Sequence, residues 1–360
     1  MKKTTLLILL GLVIISCHRV NTSKPKPATN DYIAHTIAFY NLENLYGLEE
    51  DPNTVSSNYT VRAEKFYTQR VYEAKQRNMA KVIADIGRDF TRTSPTIIGL
   101  AEIENFHVLN DLVNQESLRN DNYAIIHYDS PDLRGIDVGL LYKKNIFIPT
   151  NSKTYKLHIY QDIAKTKRKH TRDQLVVSGI LEGEKIHLIV HHWPSRSSNP
   201  TNSITNRIKA AELNKHIIDS LLSMDSKAKI INMGDFNDEP VDHSIKKILK
   251  TKAFQKDLKE GELYNPMEVI FRKGIGSLAW RDNWSLFDQI MISAELASKN
   301  QSLSFYQAGV YNKAYLTTTT GKFKGYPFRS YSSEGWTGGY SDHFPVFIHL
   351  IKRKSRLIEQ

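Results

Sequence analysis

Short apolar runs recur along the chain, and they constrain the fold more than any other feature of the sequence. The runs with the length and β-branched content of strands are residues 36–40, 96–100, 138–142, 186–190, 229–233, 289–292 and 345–350. Many of them are nearly continuous in apolar residues rather than alternating. Such runs are typical of strands that are covered on both faces, so the sequence predicts inner strands beneath other layers.

Helical patterns lie between some of these runs. Residues 69–87 carry apolar side chains largely on one helical face, and the pattern stops at Gly87. Residues 106–113 and 208–222 are two further amphipathic candidates. Strands interleaved with surface helices predict an α/β fold in which two packed sheets carry outer helices.

The N-terminus has the layout of an export signal. Lys2 and Lys3 precede an apolar segment, residues 6–15, that is shorter than a usual membrane span. Cys17 follows this segment and is the only cysteine in the chain. The arrangement resembles a bacterial lipoprotein signal, which implies that residues 1–16 are removed and that Cys17 is lipidated. The alternative is an ordinary secretory signal with an incidental cysteine.

The rest of the chain divides into a tether, one domain and a tail. Residues 17–30 are polar with interspersed prolines, which predicts a lipidated anchor and a flexible tether. No composition break divides residues 31–353, so we expect one domain there, and residues 354–360 form a basic tail. The expected location is the cell envelope, with the protein anchored to a membrane, and secretion is the alternative.

The charge balance is strongly basic. Lys and Arg number 49 against 38 Asp and Glu, which gives a net charge of +11. Removal of residues 1–16 takes away only two of these positive charges, so the basic character belongs to the folded part. A basic surface favours anionic partners such as nucleic acid, lipid headgroups or phosphorylated metabolites. The alternative explanation of the charge is solubility alone.

Polar clusters recur where the predicted strands begin or end. Each cluster contains an acid, an amide or a histidine: residues 40–44, 99–102, 134–138, 191–196, 234–237, 288–289 and 341–343. Asp and Asn at a strand end are often turn formers, so a single cluster decides little. The whole set is harder to explain in this way, because several independent strand ends would have to carry such residues by accident.

The clusters supply oxygen ligands for a hard divalent cation. Mg²⁺ prefers carboxylate and amide oxygens and usually keeps water and substrate phosphate in its shell. Asn41, Glu43, Glu102 and Asp342 carry such oxygens. We therefore expect Mg²⁺ as the cofactor, with Mn²⁺ as the alternative. Zinc is disfavoured because it uses compact sets of histidine and cysteine, and the one cysteine is predicted to be lipidated.

Other residues in the clusters suit hydrolysis of a phosphodiester, which needs an oriented water, a base and stabilisation of charge on phosphoryl oxygens. Asp235 is a candidate to orient or deprotonate the water. Asn237 points to the same side if the extended run continues, and Gly234 would allow a sharp backbone turn close to substrate. His343 is a candidate for phosphate contact or proton transfer, held by a carboxylate such as Asp288.

In chain order, these clusters resemble the endonuclease/exonuclease/phosphatase superfamily, which includes DNase I, apurinic endonucleases, neutral sphingomyelinases and inositol-polyphosphate 5-phosphatases. The shared order is an Asn strand end, a strand ending in Glu, a His/Tyr-x-Pro segment, Gly-Asp-x-Asn, an Asp-containing strand and Ser-Asp-His. The resemblance covers about residues 35–350. It implies a four-layer α/β-sandwich, with two mixed sheets packed face to face, and makes residues 31–353 the catalytic domain.

The resemblance also implies a metal shell. Glu102 is similar to the principal metal ligand of the family, with Asn41 and Glu43 beside it. Asp342 matches a position close to the metal.

The remaining motif residues match the catalytic positions of the family. Asp235 is similar to the residue that activates or positions the attacking water, and Asn237 to a neighbour that contacts phosphate and metal-bound oxygen. His343 matches the catalytic histidine, and Asp288 matches the carboxylate that orients it. Whether Asp235 or His343 acts as the base is left open by the motifs.

His192 fits the phosphate-binding His/Tyr position of the family. The adjacent His191 leaves this register open, and Ser195 stands where some members use Asn.

Further candidates rest on residue type alone. Arg134, Arg172 and Arg281 are possible phosphate ligands, since Arg binds phosphate through two donors, although exposed arginines usually only solvate a surface. Asp137 either orients a partner or starts a strand. The aromatic-rich segment 326–340 is either a substrate-facing loop on which bases stack or a loop that packs its own aromatic side chains.

Three functions remain. The first is an exported or cell-surface nuclease that cleaves DNA or RNA with Mg²⁺ as a monomer. The second is a lipid or sugar-phosphate phosphoesterase, sphingomyelinase-like or acting on inositol phosphates. Membrane contact would favour an exposed apolar hairpin, and the sequence shows no clear one. The third is a non-catalytic surface binding protein, which is disfavoured because each expected acid, amide and histidine is present.

Overall fold

The computed structural model describes residues 31–48, 67–162, 164–298 and 302–354. The predicted signal peptide, Cys17, the tether and nearly all of the basic tail lie outside the described residues. In the described part of the chain, no helix is both long enough and apolar enough to span a bilayer.

Six α-helices are described, and the longer ones begin at side-chain caps. Their bounds are α1 Gln69–Asp85, α2 Arg88–Thr91, α3 Phe106–Val113, α4 Pro200–Met224, α5 Met267–Arg272 and α6 Ala294–Ala297. Thr68, Asn105 and Asn199 each accept a hydrogen bond from a backbone N–H of the first turn that follows, in α1, α3 and α4 respectively. The prediction for α3 matches its bounds, whereas α4 is longer than the predicted residues 208–222.

The strands follow in chain order. They are β1 Tyr32–Leu45, β2 Ile97–Ile103, β3 Tyr123–His127, β4 Asp137–Lys143, β5 Phe147–Tyr155, β6 Ile159–Tyr160, β7 Arg168–Lys169, β8 Gln174–Leu181, β9 Glu184–His192, β10 Lys229–Asp235, β11 Leu263–Tyr264, β12 Leu278–Trp280, β13 Asn283–Ser285, β14 Asp288–Ser293, β15 Ser304–Val310, β16 Tyr331–Ser332, β17 Gly335–Trp336 and β18 Val346–Arg353. Each predicted strand lies within one of them, apart from the first residue of two runs, residues 96 and 345.

Two six-stranded sheets dominate the structure. Sheet I has the order β15-β18-β1-β2-β4-β3, and sheet II has the order β11-β14-β10-β9-β8-β5. The pairs β1–β2 and β9–β10 are parallel, and the other pairs are antiparallel. Both sheets are therefore mixed, as predicted. Three two-stranded hairpins, β6–β7, β12–β13 and β16–β17, lie outside them.

Three apolar clusters define the layers. Ile37 and Phe39 of β1 pack in a cluster with Met233 of β10, between the two sheets. Their neighbours Ala38 and Tyr40 belong to a second cluster that contains the apolar face of α1. A third cluster joins the other face of sheet II to α4. The inner strands are thus buried on both faces, which explains their continuous apolar runs and confirms the predicted sandwich.

Candidate active site

Three polar side chains lie in register across one end of sheet II. Asp235 is the last residue of β10, and it pairs with His192 on one side and with Asp288 on the other. Directly opposed residues of neighbouring strands project to the same face of a sheet. The Nε2 atom of His192 accordingly lies 3.5 Å from Oδ2 of Asp235. The sheet register thus gathers three of the predicted residues.

Sheet I brings its own strand ends to the same place. The amide Nδ2 of Asn41 on β1 donates to Oδ2 of Asp235 at 3.1 Å, which ties the two sheets together. Glu102 lies near the end of β2, where the pairing with β4 is irregular. Its Oε1 is 3.9 Å from Nε2 of His192. The predicted residues Asn41, Glu102, His192 and Asp235 are therefore immediate neighbours.

Left-handed backbone occurs at several of these strand ends. The φ angles of Glu43, Asn44, Glu102 and Asn237 are 49°, 59°, 61° and 50°. Such angles cost about 1–2 kcal/mol for a residue with a side chain, least for Asn, and they persist only where the surroundings impose them. The bulged ends of β1 and β2 aim their acids in directions that regular strands would not allow.

The predicted geometry of Asn237 is wrong, because the extended run ends at Asp235 and Asn237 is left-handed. Its backbone N–H donates to Oδ1 of Asp235 at 2.9 Å, and its Nδ2 donates to the carbonyl of Trp193 at 3.0 Å. Asn237 therefore holds Asp235 and the end of β9 in place, and one of its two side-chain N–H donors is already used.

Gly234 also differs from the prediction of a sharp turn. It lies inside β10, opposite His191. A Cβ atom at this position would lie 2.2 Å from the carbonyl oxygen of His191 and 2.4 Å from its Nδ1. Glycine is thus required because His191 occupies the space, and close approach to substrate is not the reason.

His343 and Asp288 form a buried pair. Nδ1 of His343 is 2.6 Å from Oδ2 of Asp288, and the hydroxyl of Ser277 donates to the same oxygen at 2.5 Å. The Oγ of Ser341 accepts the backbone N–H of His343 at 3.1 Å and donates to the carbonyl of Asn41 at 2.7 Å. The Ser-Asp-His segment is therefore fastened to both sheets.

The surroundings drive the protonation states apart. Burial lowers the pKa of His343, but the charge and hydrogen bond of Asp288, with further help from Asp342 and Asp235, raise it well above its usual range. Burial, and then the charge of Asp288, raise the pKa of Asp235 to about 7. Burial and two arginines hold the pKa of His192 well below its usual range. Near neutral pH the site thus pairs an imidazolium with a neutral imidazole.

Glu43 is surrounded by donors that the sequence did not suggest. Its carboxylate accepts hydrogen bonds from the backbone N–H and hydroxyl of Ser330, and Arg329 Nη2 lies 3.0 Å from Oε1. Arg329 also reaches Oδ2 of Asp342 at 3.3 Å. Buried Lys75 donates to the carbonyls of Glu43 and Asn44 and, at 3.0 Å, to the hydroxyl of Ser330. The sequence contains one indication of this role for Lys75: it lies on the helical face of α1 that is buried, where an unpaired lysine would be costly.

The oxygen-rich donor set fits a hard divalent cation. Burial, and next the charge of Asp342, raise the pKa of Glu43, so acids crowd together here and a cation would relieve them. The amide oxygen of Asn41 already accepts the N–H of Glu43 at 3.0 Å. Among the four predicted ligands, the carboxylates of Glu102 and Asp342 are therefore the most available. In the described residues, no compact group of three His, Cys, Asp or Glu ligands includes either of them.

The three candidate arginines have different environments. Nη1 of Arg134 lies 3.9 Å from Oε1 of Glu102, so this arginine borders the site. Buried Arg172 donates to Asp132 at 2.9 Å and to the carbonyl of Trp193 at 2.8 Å, so its guanidinium supports neighbouring loops. Arg281 is exposed at the turn between β12 and β13, and among the described residues its guanidinium forms no hydrogen bond or ion pair with another site residue.

The structure resolves several alternatives left by the sequence. The ring of His191 stacks on Trp193 and its Nε2 donates to Oδ1 of Asn232 at 3.1 Å, so it is a packed histidine and His192 faces the site. Ser195 is exposed. Asp137 starts β4 and accepts hydrogen bonds from His127 and Ser130.

The aromatic segment 326–340 mostly packs against itself. Tyr331 is buried against the ring of Trp336, and Phe328 contacts Tyr340. This arrangement favours the packing alternative over the substrate-facing one. One aromatic side chain outside this segment is strongly exposed: Trp280, at the end of β12, is 69% exposed, and the polar residues Arg281, Asp282 and Asn283 follow it.

A family model described as Endonuclease/Exonuclease/phosphatase family matches residues 36–352. No curated protein sequence matches the chain.

Solved structures with a similar fold include humanized D. rerio TDP2 with 14 mutations, at 12% identity and a TM-score of 0.53 over 88% of this chain and 98% of that chain. An endonuclease/exonuclease/phosphatase family protein from Bacteroides thetaiotaomicron has 18% identity and a TM-score of 0.52 over 90% and 100%. A mannosyl-6-phosphatase from the same organism has 17% identity and a TM-score of 0.50 over 88% and 99%. At these identities the likeness shows the fold alone.

Proposed function

The chain belongs to the endonuclease/exonuclease/phosphatase family, and from this premise we propose that it is a metal-dependent phosphodiesterase that cleaves DNA or RNA. The family description joins nucleases and phosphatases, whose common reaction is hydrolysis of a phosphate ester. One observation carries the proposal. Buried Asp235 meets His192 and Asp288 in register and receives a hydrogen bond from Asn41 of the other sheet.

The proposed cofactor is Mg²⁺, with Mn²⁺ as the alternative. Glu102 and Asp342 would hold the cation, with Asn41 and Glu43 beside them. When bound, it would stabilise negative charge on the phosphate oxygens. Lys75 and Arg329 keep Glu43 and its turn in position.

Asp235 is the proposed base. A carboxylate with a pKa of about 7 is suited to accept a proton from water near neutral pH. The N–H of Asn237 and the amide of Asn41 fix both of its oxygens, so the water it binds would have a defined direction. Placement of a water beside the phosphorus supplies much of the rate acceleration in hydrolysis.

His343 is the proposed cationic partner of the substrate phosphate. Because Asp288 binds its Nδ1, its Nε2–H is left to donate to a phosphate oxygen or to the leaving group. Neutral His192 can donate a hydrogen bond to a second oxygen from its position between Glu102 and Asp235. Arg134 borders this space and adds positive charge.

Two observations favour nucleic acid as substrate. The chain carries a net charge of +11, which attracts polyanions. One solved structure with a similar fold is D. rerio TDP2 complexed with single strand DNA product, at 13% identity and a TM-score of 0.51 over 88% of this chain and 98% of that chain.

A panel of substrates tests the proposal. Plasmid DNA, single-stranded DNA, RNA, sphingomyelin, inositol phosphates and mannose 6-phosphate are incubated with the protein in Mg²⁺, in Mn²⁺ and in chelator. We expect cleavage of nucleic acid that stops in chelator. Cleavage of a lipid or sugar phosphate alone would refute the nuclease proposal but keep the metal-dependent phosphoesterase. Activity that is indifferent to chelator would refute the metal dependence.

We also propose that the protein is exported, is anchored to a membrane by a lipid on Cys17, and is a monomer. Cys17→Ser should move the protein from the membrane fraction to the soluble fraction of the cell envelope. Unchanged membrane retention of this variant would contradict the lipid anchor.

A further inference from the structure

Two loops beside the active site expose large aromatic side chains. Trp280, 69% exposed, ends β12 next to the two-residue turn of the β12–β13 hairpin. Phe323, 56% exposed, lies in the loop 317–327, whose ends are joined by the pairing of Thr317 with Pro327. Both side chains leave apolar surface open to solvent, although the aromatic segment that follows packs against itself.

Each loop carries positive charge next to its aromatic ring. The guanidinium carbon of Arg281 lies 5.7 Å from the ring centre of Trp280, and Nζ of Lys322 lies 5.7 Å from that of Phe323. Lys324 is also exposed. We call these five residues, Trp280, Arg281, Lys322, Phe323 and Lys324, the aromatic rim.

The two loops brace each other. The hydroxyl of Tyr326 donates to Oδ1 of Asp282 at 2.6 Å and accepts the backbone N–H of Asp282 at 2.6 Å. The ring of Tyr326 contacts both Phe323 and Trp284, with ring centres 5.6 Å and 6.0 Å apart. The tips of the two loops are therefore held together at Tyr326. Because Trp280 pairs with Asn283 and Trp284 pairs with Ala279, Trp280 projects from the hairpin face opposite to Trp284, and the joined tips expose one ring on each side.

The hairpin that carries Trp280 begins at the catalytic pair. Ser277 donates to Asp288 through its hydroxyl and accepts the backbone N–H of Phe344, the residue after His343. Trp280 is three residues beyond Ser277, so it stands about 10 Å from the pair at ordinary strand rise.

The loop that carries Phe323 ends at the acidic side of the site. Two residues beyond Pro327, Arg329 contacts Glu43 and Asp342. Both loops are thus rooted among the residues that would act on a phosphate.

We infer that the aromatic rim binds single-stranded nucleic acid, with bases stacked on Trp280 and Phe323 and flanking phosphates held by Arg281, Lys322 and Lys324. Stacking on aromatic side chains beside a basic path is how proteins hold single strands without reading their sequence. The inference rests on the proposed function and defines its substrate as unpaired strands whose bases are free to stack.

The charge pattern favours a nucleic acid over a membrane surface as the partner. Three cations alternate with only two exposed aromatic rings, and the neighbouring tip residues include Asp282 and Asn283. A membrane-inserting tip would need a larger continuous apolar area. Alternating rings and cations instead match the alternation of bases and phosphates along a single strand.

The test compares a polymer with a small ester. The full chain carries Cys17→Ser in every arm, so that lipidation contributes nothing. Binding of a fluorescein-labelled oligothymidylate of about 12 nucleotides, in the range of single-strand binding sites, is measured by anisotropy in chelator. Hydrolysis of bis-p-nitrophenyl phosphate, which has no bases, is measured in Mg²⁺. The variants are Trp280→Ala/Phe323→Ala and the matched control Phe254→Ala.

Phe254 is a suitable control because it is 50% exposed and Lys256 lies 5.8 Å from its ring centre. The next residue, Gln255, donates to the carbonyl of Ala297 in α6. Helix α6 follows β14, and Asp288 lies at the other end of that strand, so Phe254 is remote from the catalytic pair.

We expect the double variant to weaken oligothymidylate binding about 10-fold or more and to change hydrolysis of the small ester less than about 2-fold. The control should change neither. Unchanged oligothymidylate binding by the double variant overturns the inference. So does a loss of binding to phosphatidylglycerol vesicles without a loss of oligothymidylate binding, since that result would make the rim a membrane contact.

A second variant is needed if the double variant also loses hydrolysis of bis-p-nitrophenyl phosphate. Lys322→Gln/Lys324→Gln changes only exposed side chains, and it should weaken oligothymidylate binding and reduce its salt dependence. Unchanged binding by this variant then overturns the inference. The proposed function fails separately, if the unaltered rim binds the oligonucleotide but the protein in Mg²⁺ hydrolyses neither bis-p-nitrophenyl phosphate nor nucleic acid.

Discussion

Asp288 sets the protonation state of His343 at the end of sheet II. Burial alone would lower the pKa of His343, yet the carboxylate of Asp288 helps to raise it well above its usual range. The charged form is thus present at neutral pH, and it is lost only as the pH rises through the raised pKa. A reaction that needs the imidazolium should therefore slow at alkaline pH.

Asp288→Asn should lower the pKa of His343, because it removes the attracting charge from the buried ring. We expect the alkaline limb of the kcat/KM profile for bis-p-nitrophenyl phosphate to move to lower pH, and kcat to fall about 10²-fold. Ser277→Ala, which removes only a hydroxyl from the same carboxylate, should move the limb less. An alkaline limb that stays in place in Asp288→Asn would contradict the assigned role of His343.

Gly234→Ala tests the steric reason for the glycine of the Gly-Asp-Phe-Asn motif. The new methyl group would overlap the carbonyl oxygen of His191, which is backbone and cannot move aside. We expect the free energy of unfolding to fall by about 1–3 kcal/mol, measured by urea denaturation followed by circular dichroism. Unchanged stability would show that β9 and β10 can separate at this point without cost.

Strand ends are the level at which sequence and structure differ most. The inner strands were predictable because burial on both faces imposes continuous apolar runs. The edge strand β5 was missed because its exposed face is polar, and it is a strand through its pairing with β8. The sequence predicted that β1 ends at residue 40, whereas irregular pairing carries it on to Leu45.

The candidate site was predictable in its members but not in its geometry. Residue type and order identified Glu102, Asp235 and His343. The left-handed backbone of Asn237 was not predictable, because φ depends on neighbours from β9 rather than on residue type. Arg329 was missed for the same reason, since only the folded chain brings it to Glu43.

Lys75 of α1 holds the bulged end of β1, because its ammonium group donates to the carbonyls of Glu43 and Asn44. Lys75→Met should leave these acceptors unpaired and let the turn move. We expect the apparent affinity for Mg²⁺, titrated in the hydrolysis assay, to fall about 10-fold. Lys81→Met, on the exposed face of the same helix, serves as the control. Unaltered Mg²⁺ affinity in Lys75→Met would contradict the supporting role.

Glu184 joins the two sheets at the end opposite the active site. It begins β9, and it binds Lys229 of β10 and Lys352 of β18. Burial would raise its pKa, but hydrogen bonds from these two lysines outweigh burial and lower the pKa to about 2. A lowered pKa means that the stabilising charge is fully present above the unfolded value of 4.5 and is lost as the pH falls toward 2.

Glu184→Gln should therefore reduce the free energy of unfolding by about 1–2 kcal/mol at pH 7. The difference from the unsubstituted protein should shrink as the pH falls from 4.5 to 2. Urea denaturation across this range measures it, with exposed Glu260→Gln as the control. A difference that is independent of pH would contradict the charge-based link between the sheets.

Across the whole molecule, the ends of strands from both sheets meet at one edge. Sheet II supplies Asp235, His192 and Asp288, and sheet I supplies Asn41 and Glu102. Neither sheet alone contains the site. The family to which the chain belongs is thus evident in how the layers meet, as well as in the motifs.

The central claim is that Asp235 acts in a metal-dependent hydrolysis of phosphodiesters. The most direct measurement is the release of p-nitrophenolate from bis-p-nitrophenyl phosphate by the unsubstituted protein, by Asp235→Asn and by exposed Asp257→Asn, each in Mg²⁺ and in chelator. The account predicts that chelator abolishes release and that Asp235→Asn lowers kcat about 10³-fold, whereas Asp257→Asn has no effect. Full activity of Asp235→Asn, or activity that persists in chelator, would contradict it.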